Sequence, residues 1–300
     1  MPVVELAGVT KAYDTKIAVR ALSFSIDAGQ MFGLLGPNGA GKTSSIRMMM
    51  GITLPDSGTV KLFGQPFERK LLERVGYLPE ERGLYKKMKV QEQLIFFGQL
   101  HGLTTDEATR RATRWAERLE IDQALPKRTE ELSKGMQQKI QFIASLLHDP
   151  GLIVMDEPFS GLDPVNAKLL EKTLLELKDE GKAILFSTHR MDQVEKLCDS
   201  ICLVNNGEAV LSGSMREIKS RYERNHVQVE FEGSAEFLKS GEIAEAKNFS
   251  GHAEIRLKHG GDAQKLLHEA SAVARIYRFE LMEPSLEEIF IRTVGGKVDA

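Results

Sequence analysis

Short apolar segments recur from the start of the chain to about Tyr222, separated by glycine-rich turns and amphipathic stretches. Residues 3–7 and 21–26 alternate between apolar and polar side chains, which predicts strands with one buried face. Three further runs are apolar almost without interruption, as is typical of strands buried in a parallel sheet. These runs are residues 31–35, 152–155 and 183–187.

Helical periodicity fills much of the chain between these strands. Residues 91–119 and 134–148 are mainly helical, and Thr104 with Glu107 has the spacing of a capping box at the start of one helix. Strands that alternate with helices are typical of an α/β sheet. We therefore predict an α/β domain over residues 1–221.

The pattern changes after Tyr222. In chain order it predicts strand 226–231, helix 235–239, strand 253–257, helix 262–272, strand 275–281 and a helix that opens at Ser285. These elements resemble the β-α-β-β-α-β order of a small ferredoxin-like domain, although only three of its four strands are assigned. We therefore predict a second, α+β domain over residues 222–300.

Composition narrows the function classes. The chain has 300 residues, 40 basic and 43 acidic side chains, a net charge of −3 and a pI near 6.2, which argues against general nucleic-acid binding. No apolar stretch reaches the roughly 18–20 residues that cross a bilayer, and the first residues lack a signal peptide's apolar block. Cys198 and Cys202 are too few for a disulfide framework, so we expect a reducing cytosol.

The strongest chemical signal is a match to G-x-x-x-x-G-K-[ST] between an apolar strand and a helix. Glycines let the backbone turn tightly and bring its N–H groups against phosphate oxygens. Lys42 is suited to the β and γ phosphates and Thr43 to Mg²⁺. The simpler alternative is a glycine-rich turn with an incidental lysine. The position of the motif between a strand and a helix favours a nucleoside-triphosphate site instead. The predicted binding residues are Gly36, Pro37, Asn38, Gly39, Ala40, Gly41, Lys42, Thr43 and Ser44.

Further polar residues follow two other predicted strands, at the edge where open α/β sheets bind ligands. Asp156 is placed to accept the Mg²⁺ water shell, and Glu157 to polarise an attacking water. His189 is placed to reach the γ-phosphate. An isolated acidic pair would be read as a solvated loop, and a lone histidine as structural. The upstream phosphate loop favours the catalytic interpretation, in which Glu157, His189 and Lys42 act together.

With these motifs, nearly all of the sequence resembles an ABC-type ATPase subunit. Residues 132–139, Leu-Ser-Lys-Gly-Met-Gln-Gln-Lys, resemble the signature motif of that family. The resemblance implies that Ser133 and Gly135 contact the γ-phosphate bound by an opposite subunit, and that Tyr13 stacks on adenine. It also identifies residues 160–163 with the D-loop that ends in Asp163, and His189 with the switch histidine.

One position departs from the family pattern. Glu80 stands where the family usually has a glutamine that contacts Mg²⁺ and senses the membrane partner. The variant is similar to the ATPases of ABC-2-type exporters, a branch that includes sodium-extrusion systems. That branch also carries a small C-terminal domain with a segment like residues 284–290. We expect Glu80 to remain a sensor and, with Thr43 and Asp156, a Mg²⁺ ligand.

The resemblance implies a P-loop NTPase core with antiparallel β and helical subdomains, the latter over residues 85–148. It further implies an ATPase that pairs with a copy or a similar subunit around ATP and Mg²⁺. An ABC-2-type transmembrane partner is expected, with the chain peripheral to the cytoplasmic face of the membrane and no direct nucleic-acid partner. The alternatives are a soluble ABC ATPase acting on ribosomes or DNA, and a regulatory ATP sensor without turnover.

Overall fold

The computed structural model describes residues 1–81, 83–222 and 224–294, and divides into a first unit ending at Met215 and a second beginning at Arg216. The strands of the first unit are β1 (Val4–Tyr13), β2 (Lys16–Ile26), β3 (Met31–Leu35), β4 (Ser57–Leu62), β5 (Gln65–Pro66), β6 (Val75–Leu78), β7 (Leu152–Asp156), β8 (Ala183–Thr188), β9 (Ser200–Asn205) and β10 (Glu208–Ser214). Its α-helices are α1 (Lys42–Met49), α2 (Val90–Leu100), α3 (Thr105–Arg118), α4 (Lys134–Leu146), α5 (Pro164–Asp179) and α6 (Met191–Leu197).

The central sheet of the first unit has the strand order β10-β9-β3-β8-β7-β6. Strands β9, β3, β8, β7 and β6 run parallel, and only β10 pairs antiparallel with its neighbour β9. Every residue of β3, β7 and β8 is buried, because helices and a second sheet leave neither face open to water. Their uninterrupted apolar sequences are the direct consequence.

A second, antiparallel sheet has the order β2-β1-β4-β5. The apolar faces of both sheets contribute to one core, and burying each such side chain stabilises the fold by about 1.5–3 kcal/mol. Fully or almost fully buried members of that core include Val4, Leu6, Ile26, Leu34, Val154 and Leu185.

Helices α2, α3 and α4 pack on one another between β6 and β7 in the chain. The segment predicted as mainly helical divides at Gly102, whose φ of 82° favours glycine and ends α2. Thr104 then opens α3 with the predicted capping box, since its hydroxyl accepts from the Glu107 N–H while the Glu107 carboxylate accepts from the Thr104 N–H. Short 3₁₀ turns at Asp122–Ala124 and Thr129–Glu131 lead into α4.

The second unit is an α+β layer. Its elements are α7 (Met215–Ser220), which begins at the boundary, β11 (His226–Gly233), a 3₁₀ turn (Glu236–Lys239), β12 (Ile243–Phe249), β13 (His252–Leu257), α8 (Ala263–Val273), β14 (Ala274–Met282) and α9 (Leu286–Val294). The strands form an antiparallel sheet of order β12-β13-β11-β14, which is the ferredoxin-like arrangement. Apolar residues of β11, β13 and α8, among them Val229, Ile255 and Leu266, form its core.

The predicted fold class is confirmed in both units. One strand of the second unit, β12, has no assignment in the sequence analysis, because six of its seven residues are exposed and no alternation marks it. Throughout residues 1–81, 83–222 and 224–294, the helices are all too short or too polar to span a lipid bilayer.

Candidate nucleotide-binding site

Four parallel strands of the central sheet end at the same edge, and the predicted site residues follow them there. Strand β3 leads into the loop at Gly36, and β6 leads toward Glu80. Asp156 ends β7, and His189 comes directly after β8. The parallel register, in which Asp156 lies opposite Ser187, therefore brings segments distant in the sequence to one place.

The phosphate loop, residues 36–41, packs so tightly that two positions exclude any side chain. A Cβ on Gly36 would lie 2.1 Å from the Val204 carbonyl oxygen, and one on Gly41 would lie 2.4 Å from the Ala18 carbonyl oxygen. Both glycines also have positive φ, 149° and 110°. Pro37, Asn38 and Gly39 are exposed at the tip, Ala40 is buried, and Ser44 in the first turn of α1 is half-buried.

Lys42 is the first residue of α1, and its side chain folds back over this loop. Its Nζ donates to the carbonyl oxygens of Gly36 at 2.7 Å and Pro37 at 3.2 Å. Burial lowers the pKa of Lys42, while Glu157 and Asp156 act in the opposite direction. Within the described residues the hydrogen bonds of this buried ammonium go to carbonyl oxygens, and a phosphate group bound in the loop would give it an anionic partner.

Asp156 and Thr43 offer oxygen atoms side by side. The Thr43 hydroxyl donates to Asp156 Oδ2 at 2.9 Å, and the Ser187 hydroxyl donates to Asp156 Oδ1. Asp156 itself is almost wholly buried. Mg²⁺ prefers oxygen ligands and is usually bound through one or two carboxylates together with substrate phosphates, so this pair fits that ion.

Glu157 and His189 form a second polar pair next to Asp156. His189 Nδ1 lies 2.7 Å from Glu157 Oε1, which also accepts from the His189 backbone N–H at 3.1 Å. The Thr188 hydroxyl donates to Glu157 Oε2 at 3.0 Å. Glu157 has a φ of 50°, a conformation that non-glycine residues seldom adopt and that is frequent at active sites. The carboxylate is thus held in one orientation beside an exposed imidazole.

The signature residues lie at the start of α4. Ser133 caps this helix, its hydroxyl accepting from the Met136 N–H at 3.2 Å. Gly135 lies beside the D-loop, where a Cβ would be 3.4 Å from the Gly161 carbonyl oxygen. In the part of the chain that the structure describes, no hydrogen bond joins Ser133 or Gly135 to the phosphate loop.

The remaining predicted residues occupy the margins of the site. Asp163 caps α5 by accepting from the N–H groups of Val165 and Asn166, and the Asn166 N–H holds the pKa of Asp163 below its ordinary value. Tyr13 ends β1 partly exposed, with the Lys11 ammonium 5.8 Å from its ring centre. Glu80 is exposed on the loop after β6, near enough to Lys42 for its charge to oppose the lowering of that residue's pKa.

The sequence analysis missed four residues that hold this site together. Ser187 and Thr188 lie on the adjacent strand β8 and hold the carboxylates of Asp156 and Glu157. The register of the two parallel strands could have indicated these contacts. Gln138 and Gln141 on α4 donate to backbone carbonyls of two loops at the edge of the sheet. No local pattern in the sequence indicates these hydrogen bonds of the two glutamines.

Comparison with known proteins agrees with this geometry. Residues 19–160 match the ABC transporter family, and residues 213–294 match the C-terminal domain of DrrA1-3-like ATP-binding proteins. The chain is 43% identical to the uncharacterized ABC transporter ATP-binding protein YhaQ of Bacillus subtilis (strain 168), covering 96% of this chain and 97% of that protein.

Two further proteins extend the comparison. The Nod factor export ATP-binding protein I of Mesorhizobium japonicum is 33% identical, covering 99% of this chain and 88% of that protein. A solved ATP-binding subunit of an ABC transporter aligns with a TM-score of 0.68 and 29% identity, covering 73% and 92% of the two chains. The chain belongs to the ATP-binding proteins of ABC transporters. It is therefore the ATP-binding subunit of a transporter, in a family of ATPase domains that implies ATP hydrolysis.

Proposed function

We propose that this chain is the ATP-hydrolysing motor subunit of an ABC exporter and works as a dimer around two ATP molecules. The observation that carries the proposal is the Glu157–His189 pair, 2.7 Å apart, beside Asp156 and the buried Lys42. Exporter function is supported by similarity to a Nod factor export ATP-binding protein and by the DrrA-like C-terminal match.

The proposed chemistry assigns one task to each residue. Glu157 polarises a water molecule and takes its proton as the water oxygen attacks the γ-phosphorus, and the bond to the ADP oxygen breaks. Lys42 and the loop N–H groups hold the phosphates, and His189 contacts the γ-phosphate. Mg²⁺, held by Thr43, Asp156 and Glu80, would supply charge that neutralises the phosphate oxygens.

The position of the signature residues supports the proposed dimer. The N-terminus of α4, with Ser133 and Gly135, favours an anion but has no hydrogen bond to the phosphate loop of its own chain in the described residues. In the proposed head-to-tail pair it faces the γ-phosphate bound by the other copy, and Tyr13 stacks on adenine. ATP thus joins the two copies, and hydrolysis removes contacts that hold them together.

The first test traps the closed dimer. We expect Glu157→Gln to bind ATP with Mg²⁺ and to accumulate as a dimer, because the amide keeps the shape of the side chain but is a poor base. Light scattering of the purified variant with and without nucleotide measures this, with the exposed Glu180→Gln as the matched control. A Glu157→Gln protein that binds ATP and stays monomeric would contradict the proposed dimer.

The second test concerns the partner. We propose an ABC-2-type transmembrane protein, with this chain peripheral to the cytoplasmic face of the membrane. Affinity purification of Glu157→Gln from its native cells with ATP and Mg²⁺, followed by mass spectrometry, should recover a protein with several membrane spans. Recovery of ribosomal or DNA-bound proteins alone would instead favour a soluble ABC ATPase.

A further inference from the structure

A buried glutamine, Gln141, lies on α4, which we call the signature helix because the signature residues lie at its start. Gln141 is only 6% exposed, and its side-chain amide donates to the carbonyl oxygens of Pro79 and Glu81, each at 3.1 Å. These two carbonyls flank Glu80 on either side. An amide nitrogen has two hydrogens, so both are used to hold the loop on which Glu80 lies.

A second glutamine on the same helix holds the loop that carries Glu157. Gln138 is 5% exposed and donates to the Pro158 carbonyl oxygen at 3.1 Å, one residue after Glu157. Positions three apart in a helix lie on one face. A single face of α4 therefore contacts the loops of Glu157 and Glu80, and Ser133 caps the start of the same helix.

Close packing reinforces the contact with the Glu80 loop. A Cβ on Gly76 of β6 would lie 2.2 Å from the Ser145 carbonyl oxygen of α4, so the strand leading to Glu80 lies directly against this helix. The Gln141 carbonyl oxygen Oε1 is buried and has no hydrogen-bond partner within the described residues. An unsatisfied buried acceptor costs stability, and the two hydrogen bonds to the Glu80 loop act against that cost, so what the glutamine contributes here is its hold on that loop.

We propose that Gln141 is a positioning residue that fixes the Glu80 loop to the signature helix, and thereby sets the affinity of the site for Mg²⁺. The inference rests on the proposed function, in which Glu80 is a Mg²⁺ ligand. Gln141 touches neither nucleotide nor metal in this account and acts only through Glu80. The position of one carboxylate ligand is thus linked to the helix that faces the second copy.

The test measures metal affinity without turnover, in the Glu157→Gln background. The readout is the Mg²⁺ concentration that gives half-maximal ATP-driven dimer by light scattering. Gln141→Met keeps the size but removes both N–H donors, and we expect it to raise this concentration about tenfold, since removing a partner that orients a metal ligand commonly costs 10–100-fold in affinity. Gln141→Glu is nearly isosteric and offers no N–H, and at most one O–H when protonated, so it should act in the same direction. Thermal unfolding confirms that each variant is folded.

Two controls distinguish positioning from general damage. Gln123→Met alters an exposed glutamine of the same unit and should leave the Mg²⁺ requirement unchanged. Glu80→Ala should raise the requirement, and adding Gln141→Met to it should raise it no further. An additive effect of the two changes would overturn the proposal, as would an unchanged requirement in both Gln141 variants. Failure of Glu157→Gln itself to dimerise with ATP would instead reject the proposed function on which the inference rests.

Discussion

At the residue scale, several contacts hold Glu157 in place at the edge of the central sheet. Its two carboxylate oxygens contact Thr188 and His189, and its backbone N–H donates to the Ser187 carbonyl oxygen at 3.0 Å. These partners come from the next strand, so the orientation of Glu157 depends on the pairing of β7 with β8. With these contacts Glu157 has its positive φ of 50°.

Away from the site, His148 leads to a prediction of how the free energy of unfolding depends on pH. Its ring stacks on His101 with centres 3.8 Å apart, Nε2 donates to the Val75 carbonyl oxygen, and Nδ1 is buried without a partner in the described residues. Burial and, to a smaller extent, the neighbouring His101 lower the pKa of His148 from 6.5 to about 4. The folded protein therefore keeps this ring neutral, whereas the unfolded chain protonates it near pH 6.5.

The contribution of the neutral ring to the free energy of unfolding is fully present above about pH 6.5. It is lost as the pH falls toward 4, because the unfolded chain then binds a proton that the folded protein does not. We expect His148→Phe, which keeps an aromatic ring, to flatten the fall in unfolding free energy over this range. One proton changes that slope by at most about 1.4 kcal/mol per pH unit. Urea titrations of both proteins at several pH values measure it. Identical slopes would show that His148 does not titrate between these limits.

At the scale of elements, the uninterrupted apolar runs were the easiest to predict. Residues 31–35 match β3 residue for residue, because a strand buried on both faces has no polar position to obscure its ends. Strand β12 could not be found, since an exposed edge strand imposes no apolar pattern. The contacts of Gln141 were equally hidden, because they join α4 to a loop some 60 residues away through backbone atoms that any sequence provides.

The contact between β6 and α4 gives a prediction at this scale. Gly76→Ala places a methyl group 2.2 Å from the Ser145 carbonyl oxygen and 2.9 Å from Pro150, so the strand and the helix must separate. We expect a loss of about 1–3 kcal/mol in the free energy of unfolding, as is usual when a packed interior is overfilled. Chemical denaturation measures the change.

Gly83→Ala is the matched control, because its added methyl group meets no atom of the described residues, apart from its chain neighbours, within 4 Å. It should change stability by less than about 1 kcal/mol, in either direction. Equal destabilisation by both substitutions would mean that the steric contact at Gly76 is not the cause.

At the scale of the whole molecule, the chain combines an ABC ATPase unit with a smaller ferredoxin-like unit. The sequence motifs indicated the phosphate loop and the carboxylates after the strands, because these are local features, but not the side chains of other elements that contact them. In the proposed dimer Ser133 and Gly135 complete a site on the other copy, and the local sequence of one chain does not show such a pairing. The domain limits proposed from the sequence, 1–221 and 222–300, remain a prediction of where each part folds independently.

Hydrolysis by this chain is the central claim, and release of inorganic phosphate from ATP with Mg²⁺ tests it most directly. We predict steady release by the wild-type protein and by Glu180→Gln, and a loss of at least about a hundredfold in Glu157→Gln, since a general base contributes 10²–10⁴-fold. Wild-type turnover in Glu157→Gln would contradict the role of Glu157. A wild-type protein that binds ATP and releases no phosphate would contradict the motor itself and favour an ATP sensor.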